Sequence, residues 1–311
     1  MKKINAIFMA LCIVALGSIF LAGQASALTL SPVRIEVAGN PGQTVNGNLV
    51  LVNEEKTAQT YYSSFANFTA DGTSGAPVFT NSNQGLATWI SASSKVELQP
   101  GQQVNVPYAI TIPGGATAGG YYAAIFWSIT PSTGNGGQVS VGSRVGALVL
   151  LTVNGDIKIN GAVSGFGANG GMFDTVPVNF TYTFGNAGND RIVPQGSVNV
   201  KTLGLWTAAS LTANGSQGNV LPNSSRKFDV AWGKDDNNGF FAKVGKEWTN
   251  FHLGFYTADL ALSYGQDKTA AASYTFFMFP WQLLLVLLIV VLAVVLIVKK
   301  WDKWIVKKAK S

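Results

Sequence analysis

The chain has one cysteine and one histidine in 311 residues, and charged residues make up only 12% of it. Cys12 lies in the first 27 residues, so the segment 28–275 contains no thiol and cannot form a disulfide. A Cys-His nucleophilic pair is thereby excluded from that segment, and His252 is the single candidate base for a serine triad. We favour a half-buried strand residue for His252, and the sequence predicts a protein that is not an enzyme.

A strongly basic surface is also missing from the central part of the chain. The net charge of +6 comes from the two ends, because lysines cluster in the first few residues and after residue 298. The segment 28–275 is close to neutral, so we expect no nucleic-acid partner. Asp235 and Asp236 lie in an oxygen-rich stretch similar to a calcium loop, but the closing glutamate is absent at the required spacing. We expect a turn there and no cofactor, and weak calcium binding by these two aspartates stays an open alternative.

The longest apolar run occupies residues 276–298. At about 1.5 Å per residue, a helix of this length crosses the roughly 30 Å hydrocarbon core of a bilayer. Lysines follow the run on its C-terminal side, which predicts a basic cytoplasmic tail at 299–311 and an N-terminal ectodomain outside the cell. The residues that we expect to contact lipid at the two membrane interfaces are Trp281, Lys299, Lys300, Trp301 and Trp304.

The start of the chain predicts the same orientation independently. Residues 1–27 combine a charged beginning, an apolar core and a small-residue Ala25-Ser26-Ala27 site, which indicates a secretory signal peptide. The mature chain would then begin at Leu28. An uncleaved signal anchor is the alternative, and it leaves the ectodomain on the same side of the membrane. We therefore expect a single-pass protein of the plasma membrane.

The central segment predicts an all-β fold. It is rich in Val, Thr, Gly, Asn and Ser and shows no long apolar stripe of period 3.6, so helices are expected only in the signal peptide and the anchor. Apolar residues alternate from Val104 to Ile112, between the turn residues Pro100-Gly101 and Pro113-Gly114. Seven or eight such strands predict an immunoglobulin-like β-sandwich over residues 28–154.

The second half of the segment repeats this pattern. An alternating strand ends at Asn186 much as an earlier one ends at Asn53, and each is followed by a polar turn. Two copies of one sandwich are the economical explanation. The sequence therefore predicts two tandem immunoglobulin-like β-sandwich domains, at 28–154 and 155–275, followed by one transmembrane helix.

Adjacent aromatic residues in the predicted strands are candidates for ligand binding. Each pair places one ring on either face of a strand, so half of these rings must pack in a core and the others can face a sugar or a protein partner. Core packing is the alternative for every one of them. The candidate platform consists of Tyr61, Tyr62, Tyr121, Tyr122 and Trp127.

Several segments resemble a known family. Leu30-Ser31-Pro32-Val33-Arg34, the stretch 96–102 and the stretch 119–126 resemble the N-terminal domain of the WxL-interacting cell-surface proteins of Gram-positive bacteria. The order of signal peptide, two sandwiches, membrane helix and basic tail is also similar. The resemblance implies a membrane-anchored surface protein whose outer domains contact peptidoglycan, partner surface proteins or a host ligand. A fainter similarity is to pilus chaperones, whose first strand carries a basic residue like Arg34.

Two functions are consistent with these features. The first is a non-enzymatic, membrane-anchored bacterial surface protein whose sandwich domains bind a cell-wall polymer or a partner surface protein in adhesion or assembly. The alternative is a subunit of an envelope, secretion or pilus-assembly complex that acts through its membrane helix and has a chaperone-like first domain.

Overall fold

The computed structural model describes residues 28–80, 83–131, 144–234 and 239–309. The predicted signal peptide and the candidate calcium ligands Asp235 and Asp236 lie outside the described residues. The chain forms two compact units, with the main division between Val153 and Asn154. The short segments 69–78 and 117–120 group with the second unit.

The described residues of the first half of the chain form ten strands. They are β1 (Leu28–Ser31), β2 (Arg34–Gly39), β3 (Thr44–Asn53), β4 (Gln59–Asp71), β5 (Ala76–Thr80), β6 (Ile90–Ala92), β7 (Lys95–Leu98), β8 (Gln103–Thr111), β9 (Gly119–Ser128) and β10 (Arg144–Val153), with a 3-10 turn at Leu86–Thr88. One sheet has the order β1-β3-β8-β6, and the other has the order β2-β10-β9-β4-β5 with β7 also paired to β4. β2 runs parallel to β10, whereas β3 and β8 are antiparallel.

The alternation predicted from the sequence fills the core of this first sandwich. Leu49 and Leu51 on β3 are fully buried, as are Ile110 on β8 and Ile125 on β9. The residues between the buried positions of β3 and β8 are less buried, because successive side chains of a strand point to opposite faces. Packing and hydrogen bonds hold this sandwich without a disulfide.

The described residues of the second half form eight strands and two helices. They are β11 (Gly161–Ala168), β12 (Met172–Phe173), β13 (Val178–Asn186), β14 (Gln195–Thr202), β15 (Trp206–Thr212), β16 (Ser224–Trp232), α1 (Phe240–Thr249), β17 (Gly254–Tyr264), β18 (Lys268–Met278) and α2 (Trp281–Ala309). The sheets have the orders β11-β13-β16 and β12-β18-β17-β14-β15. The chain is thus an all-β protein of two immunoglobulin-like sandwiches with one apolar C-terminal helix.

The two sandwiches repeat the same strand order. β11-β13-β16 corresponds to β1-β3-β8, and β12-β18-β17-β14-β15 corresponds to β2-β10-β9-β4-β5. Even the exceptional pairing recurs, since β12 runs parallel to β18 as β2 does to β10. This match shows the internal duplication that the sequence pattern predicts.

Each sandwich has a buried asparagine at the equivalent strand end that hydrogen-bonds to backbone groups of the same sandwich. The side-chain amide of Asn53, at the end of β3, donates to the carbonyls of Leu98 and Gln99 at 3.1 and 3.2 Å. Asn186, at the end of β13, donates to the carbonyl of Val220 at 2.9 Å. Both asparagines are buried, and each satisfies its side-chain amide with backbone carbonyls of its own sandwich.

The helix α1 corrects the expectation that the ectodomain has no helix. The segment from Phe240 to Thr249 includes two phenylalanines and Gly245, and neither residue type favours a helix strongly. Tertiary contacts therefore stabilise it, among them its packing against the start of α2 and the ion pair of Lys243 with Asp174. The sequence does not reveal this helix because charged residues occupy the face that packs on the protein.

The start of the C-terminal helix also differs from the prediction. The apolar run predicts a helix from Phe276, but β18 extends to Met278 and α2 begins at Trp281. Phe276 is 2% exposed and packs on Phe180 and Tyr256 in the second core. A buried strand continues into the apolar helix with no intervening charged residue, so hydropathy alone cannot separate them.

Candidate membrane-anchoring site

The helix α2 is long and apolar enough to span a membrane over Trp281–Ile305. Gln282 and Leu283, in its first turn, are buried against the rest of the chain, and the large apolar side chains from Leu287 to Ile305 are exposed. A 25-residue helix is about 37 Å long at 1.5 Å per residue, which exceeds the hydrocarbon thickness of a bilayer. The helix is thus compatible with a single-pass membrane anchor.

The predicted interface residues occupy the two ends of this helix. Trp281 is its first residue and is exposed. Lys299, Lys300, Trp301 and Trp304 lie in its last three turns, and all four are exposed. The first lysine is about 27 Å along the axis from Trp281 at 1.5 Å per residue, close to the thickness of a hydrocarbon core. The spacing suits one residue set for each headgroup layer.

A polar cluster that the sequence does not predict joins α1 to the start of α2. Lys243 on α1 forms an ion pair with Asp174 at 2.9 Å, and Gln282 on α2 donates to the same carboxylate at 3.0 Å. Glu247, which is 0% exposed, accepts a hydrogen bond from the backbone N–H of Leu283. An acceptor at the first turn of a helix satisfies an N–H that has no partner within the helix. The cluster therefore fixes α2 to the second sandwich.

Burial acts on the two carboxylates of this cluster with different results. Desolvation raises the pKa of Glu247, and the hydrogen bond from Leu283 offsets this only in part. Burial also raises the pKa of Asp174, but stronger effects oppose it. The pKa is held below the usual value by hydrogen bonds from Gln282 and Lys243, by the charge of Lys243 and by the Thr175 amide. Asp174 is thus the ionised centre of the cluster.

Two of the five aromatic candidates are core residues. Tyr61 is 2% exposed and donates to Asn53, and Trp127 is 1% exposed. Both side chains point into the first sandwich. The prediction that they form part of a ligand platform is therefore wrong, and they belong to the core. They occupy the inward positions of β4 and β9, a choice of face that an isolated aromatic pair does not reveal.

The other three candidates are half-buried. Tyr121 packs its ring against Trp89, with centroids 4.6 Å apart. Tyr122, on the opposite face of β9, packs against Phe68 at 5.9 Å. Tyr62 is half-buried on β4. The structure does not bring these three tyrosines together into a single platform, since Tyr121 and Tyr122 lie on opposite faces of the sheet.

An aromatic cluster that the sequence does not predict lies on the outer face of the β2-β10-β9-β4-β5 sheet of the first sandwich. The ring of Phe79 meets Phe126 at 4.8 Å and Phe68 at 5.9 Å. Arg144 covers this cluster, with its guanidinium carbon 4.0 Å from the centre of the Phe126 ring. The sequence signal is the aromatic residue at each of these outward strand positions, but spacing along the chain does not predict a cation–π partner on the neighbouring strand β10.

A shallow groove with both polar and apolar lining residues lies on the outer face of the β1-β3-β8-β6 sheet in the first sandwich. Its volume is ≈ 530 Å³. The side chains that give it its polar character are Asn46, Asn48, Ser91 and Ser93. Amide and hydroxyl groups of this kind can donate to and accept from a hydroxyl-rich or peptide ligand.

His252 occupies a structural environment. Its Nδ1 lies 3.1 Å from the hydroxyl of Tyr256, and its ring packs on Trp232 with centroids 4.8 Å apart. Desolvation lowers the pKa of His252, which favours the neutral ring. Among the described residues, no group of three or more His, Cys, Asp or Glu side chains is placed to hold a metal ion.

Comparison with protein-family models finds no match for this chain. Comparison with curated proteins finds no match either.

Solved structures of similar architecture include fimbrial chaperones. The class 5 fimbriae chaperone CfaA is 13% identical with a TM-score of 0.38, over 80% of this chain and 99% of that one. The E. coli chaperone DraB is 11% identical with a TM-score of 0.34, over 79% and 98%. The Salmonella enterica SafA pilin in complex with the SafB chaperone matches at 10% identity with a TM-score of 0.35, over 83% and 99%. These values mark a distant likeness, and the fold assignment above depends on the strands of this chain itself.

Proposed function

We propose that the protein is a non-enzymatic, membrane-anchored surface protein of the bacterial envelope that presents two β-sandwich domains to a binding partner. The observation that carries the proposal is α2, an exposed apolar helix fixed to the second sandwich and ending in lysines. Exposing so many large apolar side chains to water is unfavourable, and a bilayer removes that cost. The C-terminal end of α2, which carries the lysines, lies in the cytoplasm, so both sandwiches are outside the cell.

The binding partner in this proposal is a cell-wall polymer or another surface protein. The groove lined by Asn46, Asn48 and Ser91 supports it, because it offers polar groups on a sheet face that the sandwich core does not use. The half-buried Tyr62 and Tyr122 add aromatic surface on the other sheet. The resemblance to the WxL-interacting proteins belongs to the same proposal and supports a role in adhesion or assembly at the surface.

Binding to the wall is tested with the full-length protein in detergent micelles and isolated cell walls. We expect the wild-type chain to sediment with the walls and the double variant Asn46→Ala/Asn48→Ala to remain in solution. Asn105→Ala is the matched control, since Asn105 is exposed on the same sheet but lies outside the groove. Equal sedimentation of all three chains would remove the groove from the account.

The alternative is a subunit of an envelope, secretion or pilus-assembly complex with a chaperone-like first domain. The resemblance of Arg34 to the basic residue of pilus chaperones favours it, and in the structure Arg34 forms an ion pair with Glu36 at 3.2 Å. Cross-linking in intact cells separates the two functions when α2 and the tail are replaced by an unrelated transmembrane helix. An adhesion module keeps its cross-linked partners after this exchange, whereas a subunit that acts through its helix loses them.

A further inference from the structure

Exposed apolar side chains are concentrated at one end of the second sandwich. Among the described residues before α2, most of the large apolar side chains exposed to solvent lie between Met172 and Phe279. They include three in and beside the β14–β15 turn and several in and after α1. The full set is Met172, Leu203, Leu205, Trp206, Phe240, Phe241, Trp248, Phe251, Leu253, Phe255 and Phe279.

The strand register places those members of this set that belong to strands at the same end of the sheet. Phe255, at the start of β17, pairs with Phe277 near the end of β18, and their rings are 4.9 Å apart. Leu203, just after β14, donates its backbone N–H to the carbonyl of Phe255. Met172 on β12 pairs with Phe277 from the other side. Four neighbouring strands thus present apolar side chains at the end of the sheet where the chain enters α2.

The helix α1 directs Lys243 and Glu247 to the protein and Phe241 and Trp248 to solvent. Lys243 and Glu247, four residues apart, share the face that packs on Asp174 and the start of α2. Phe241 and Trp248, seven residues apart, share a different face and are 82% and 66% exposed. A helix in water shows the reverse arrangement. The outward face of α1 is therefore suited to an apolar medium.

The same helix lies beside the entrance of the membrane span. The ring of Phe240 contacts that of Trp281, the first residue of α2, with centroids 6.1 Å apart. Glu247 binds the first turn of α2 through the N–H of Leu283. An aromatic helix held next to the start of a transmembrane segment is at the depth of the lipid headgroups, where Trp and Phe side chains are favoured.

We propose that this end of the second sandwich, formed by α1, the β14–β15 turn and the start of β17, inserts into the outer leaflet as a second lipid-contacting surface beside the span. The proposal rests on the proposed membrane anchoring by α2. Its consequence is that the second sandwich is held at the bilayer surface by its own side chains as well as by the helix.

The test uses the full-length chain in liposomes with one nitroxide spin label per molecule. In a Cys12→Ser background, labels are placed on the aromatic face of α1 through Phe241→Cys and, in a separate chain, Trp248→Cys. Val290→Cys in the middle of α2 reports the hydrocarbon core. Gln266→Cys is the water control, because Gln266 is exposed in the turn between β17 and β18, at the other end of these strands. Collision rates are measured with oxygen, which enriches in lipid, and with a neutral nickel chelate, which stays in water.

We expect labels at 241 and 248 to collide with nickel roughly tenfold less often than the label at 266, since a polar chelate is excluded from the apolar leaflet. Oxygen collisions at these sites should be high, as at 290. Nickel collisions equal to those at 266, with 290 in lipid, would overturn the insertion and leave the anchor intact. Low collisions with both reagents would overturn it in favour of a protein neighbour covering α1. A label at 290 that collides freely with nickel would refute the anchor itself.

Two positions on one face keep the outcome independent of the folding of either variant. Each labelled chain is accepted for measurement only when its circular dichroism matches that of the Gln266→Cys chain. The expected agreement between 241 and 248 also distinguishes insertion of the whole face from burial of a single side chain.

Discussion

Replacing Asn53 by alanine should destabilise the first sandwich strongly. The Asn53 side chain accepts from the hydroxyl of Tyr61 at 2.9 Å and donates to the carbonyl of Leu98 at 3.1 Å. Alanine removes the partner of the buried Tyr61 hydroxyl and one hydrogen bond to the buried Leu98 carbonyl. Loss of a hydrogen bond at a buried group costs about 1–3 kcal/mol, so we expect a loss of about 3 kcal/mol in the free energy of unfolding. For a domain of this size, that loss lowers the melting temperature by about 10 °C.

The assay is differential scanning calorimetry of the full-length protein in detergent. Asn48→Ala is the control, because Asn48 is exposed on the same strand and should change stability by less than about 0.5 kcal/mol. Asn186→Ala makes the equivalent change in the second sandwich and identifies which transition belongs to which domain. If Asn53→Ala melts together with the Asn48→Ala control, the asparagine does not fasten the sandwich and the reasoning is refuted.

Three further changes test other parts of the structure. Gly196→Ala should lower the free energy of unfolding by about 2 kcal/mol or more in denaturant titrations, because Gly196 has φ +155° and an added Cβ would collide with the carbonyl of Ala261; an unchanged midpoint would contradict this. The depressed pKa of Asp174 contributes stability above the ordinary aspartate range that is lost as pH falls through the depressed value. Asp174→Asn should therefore flatten the acid limb of the melting-temperature profile, and an unchanged limb would argue against the ion pair. Arg144→Ala should cost about 0.5–1 kcal/mol by removing the cation–π contact with Phe126, whereas Arg144→Lys should retain part of it in the same titration.

Strand positions are predictable because a half-buried strand repeats every two residues. The alternation in β3, β8, β13 and β16 identifies the inward face of both sandwiches without knowledge of any contact. The duplication is visible for the same reason, since equivalent strands carry equivalent patterns. What the pattern leaves open is which strands pair, including the parallel pairing of β2 with β10.

The helix α1 could not be predicted because its pattern is inverted. Lys243 and Glu247 are directed to the protein while Phe241 and Trp248 are exposed, so a rule that places apolar residues inside fails. The start of α2 differs from the prediction because Phe276 is apolar for a different reason, namely burial in a sandwich core. An apolar side chain indicates that a residue avoids water, but it does not indicate whether the residue contacts protein or lipid.

The aromatic candidates show a similar limit. Tyr61 and Tyr62 are adjacent and identical in type, yet only Tyr61 enters the core. Its hydroxyl is satisfied by Asn53, a partner on the neighbouring sheet that spacing along the chain does not reveal. The face of each aromatic pair is set by strand register, which depends on the whole sheet.

The central claim is that α2 crosses the membrane with its lysines in the cytoplasm and both sandwiches outside. Two single-cysteine chains in a Cys12→Ser background, Gln266→Cys in the second sandwich and Ser311→Cys in the tail, test it directly in cells. A membrane-impermeant maleimide added to intact cells or spheroplasts should label residue 266 at once and residue 311 only after lysis. Labelling of residue 311 in intact cells while residue 266 stays protected would contradict the account.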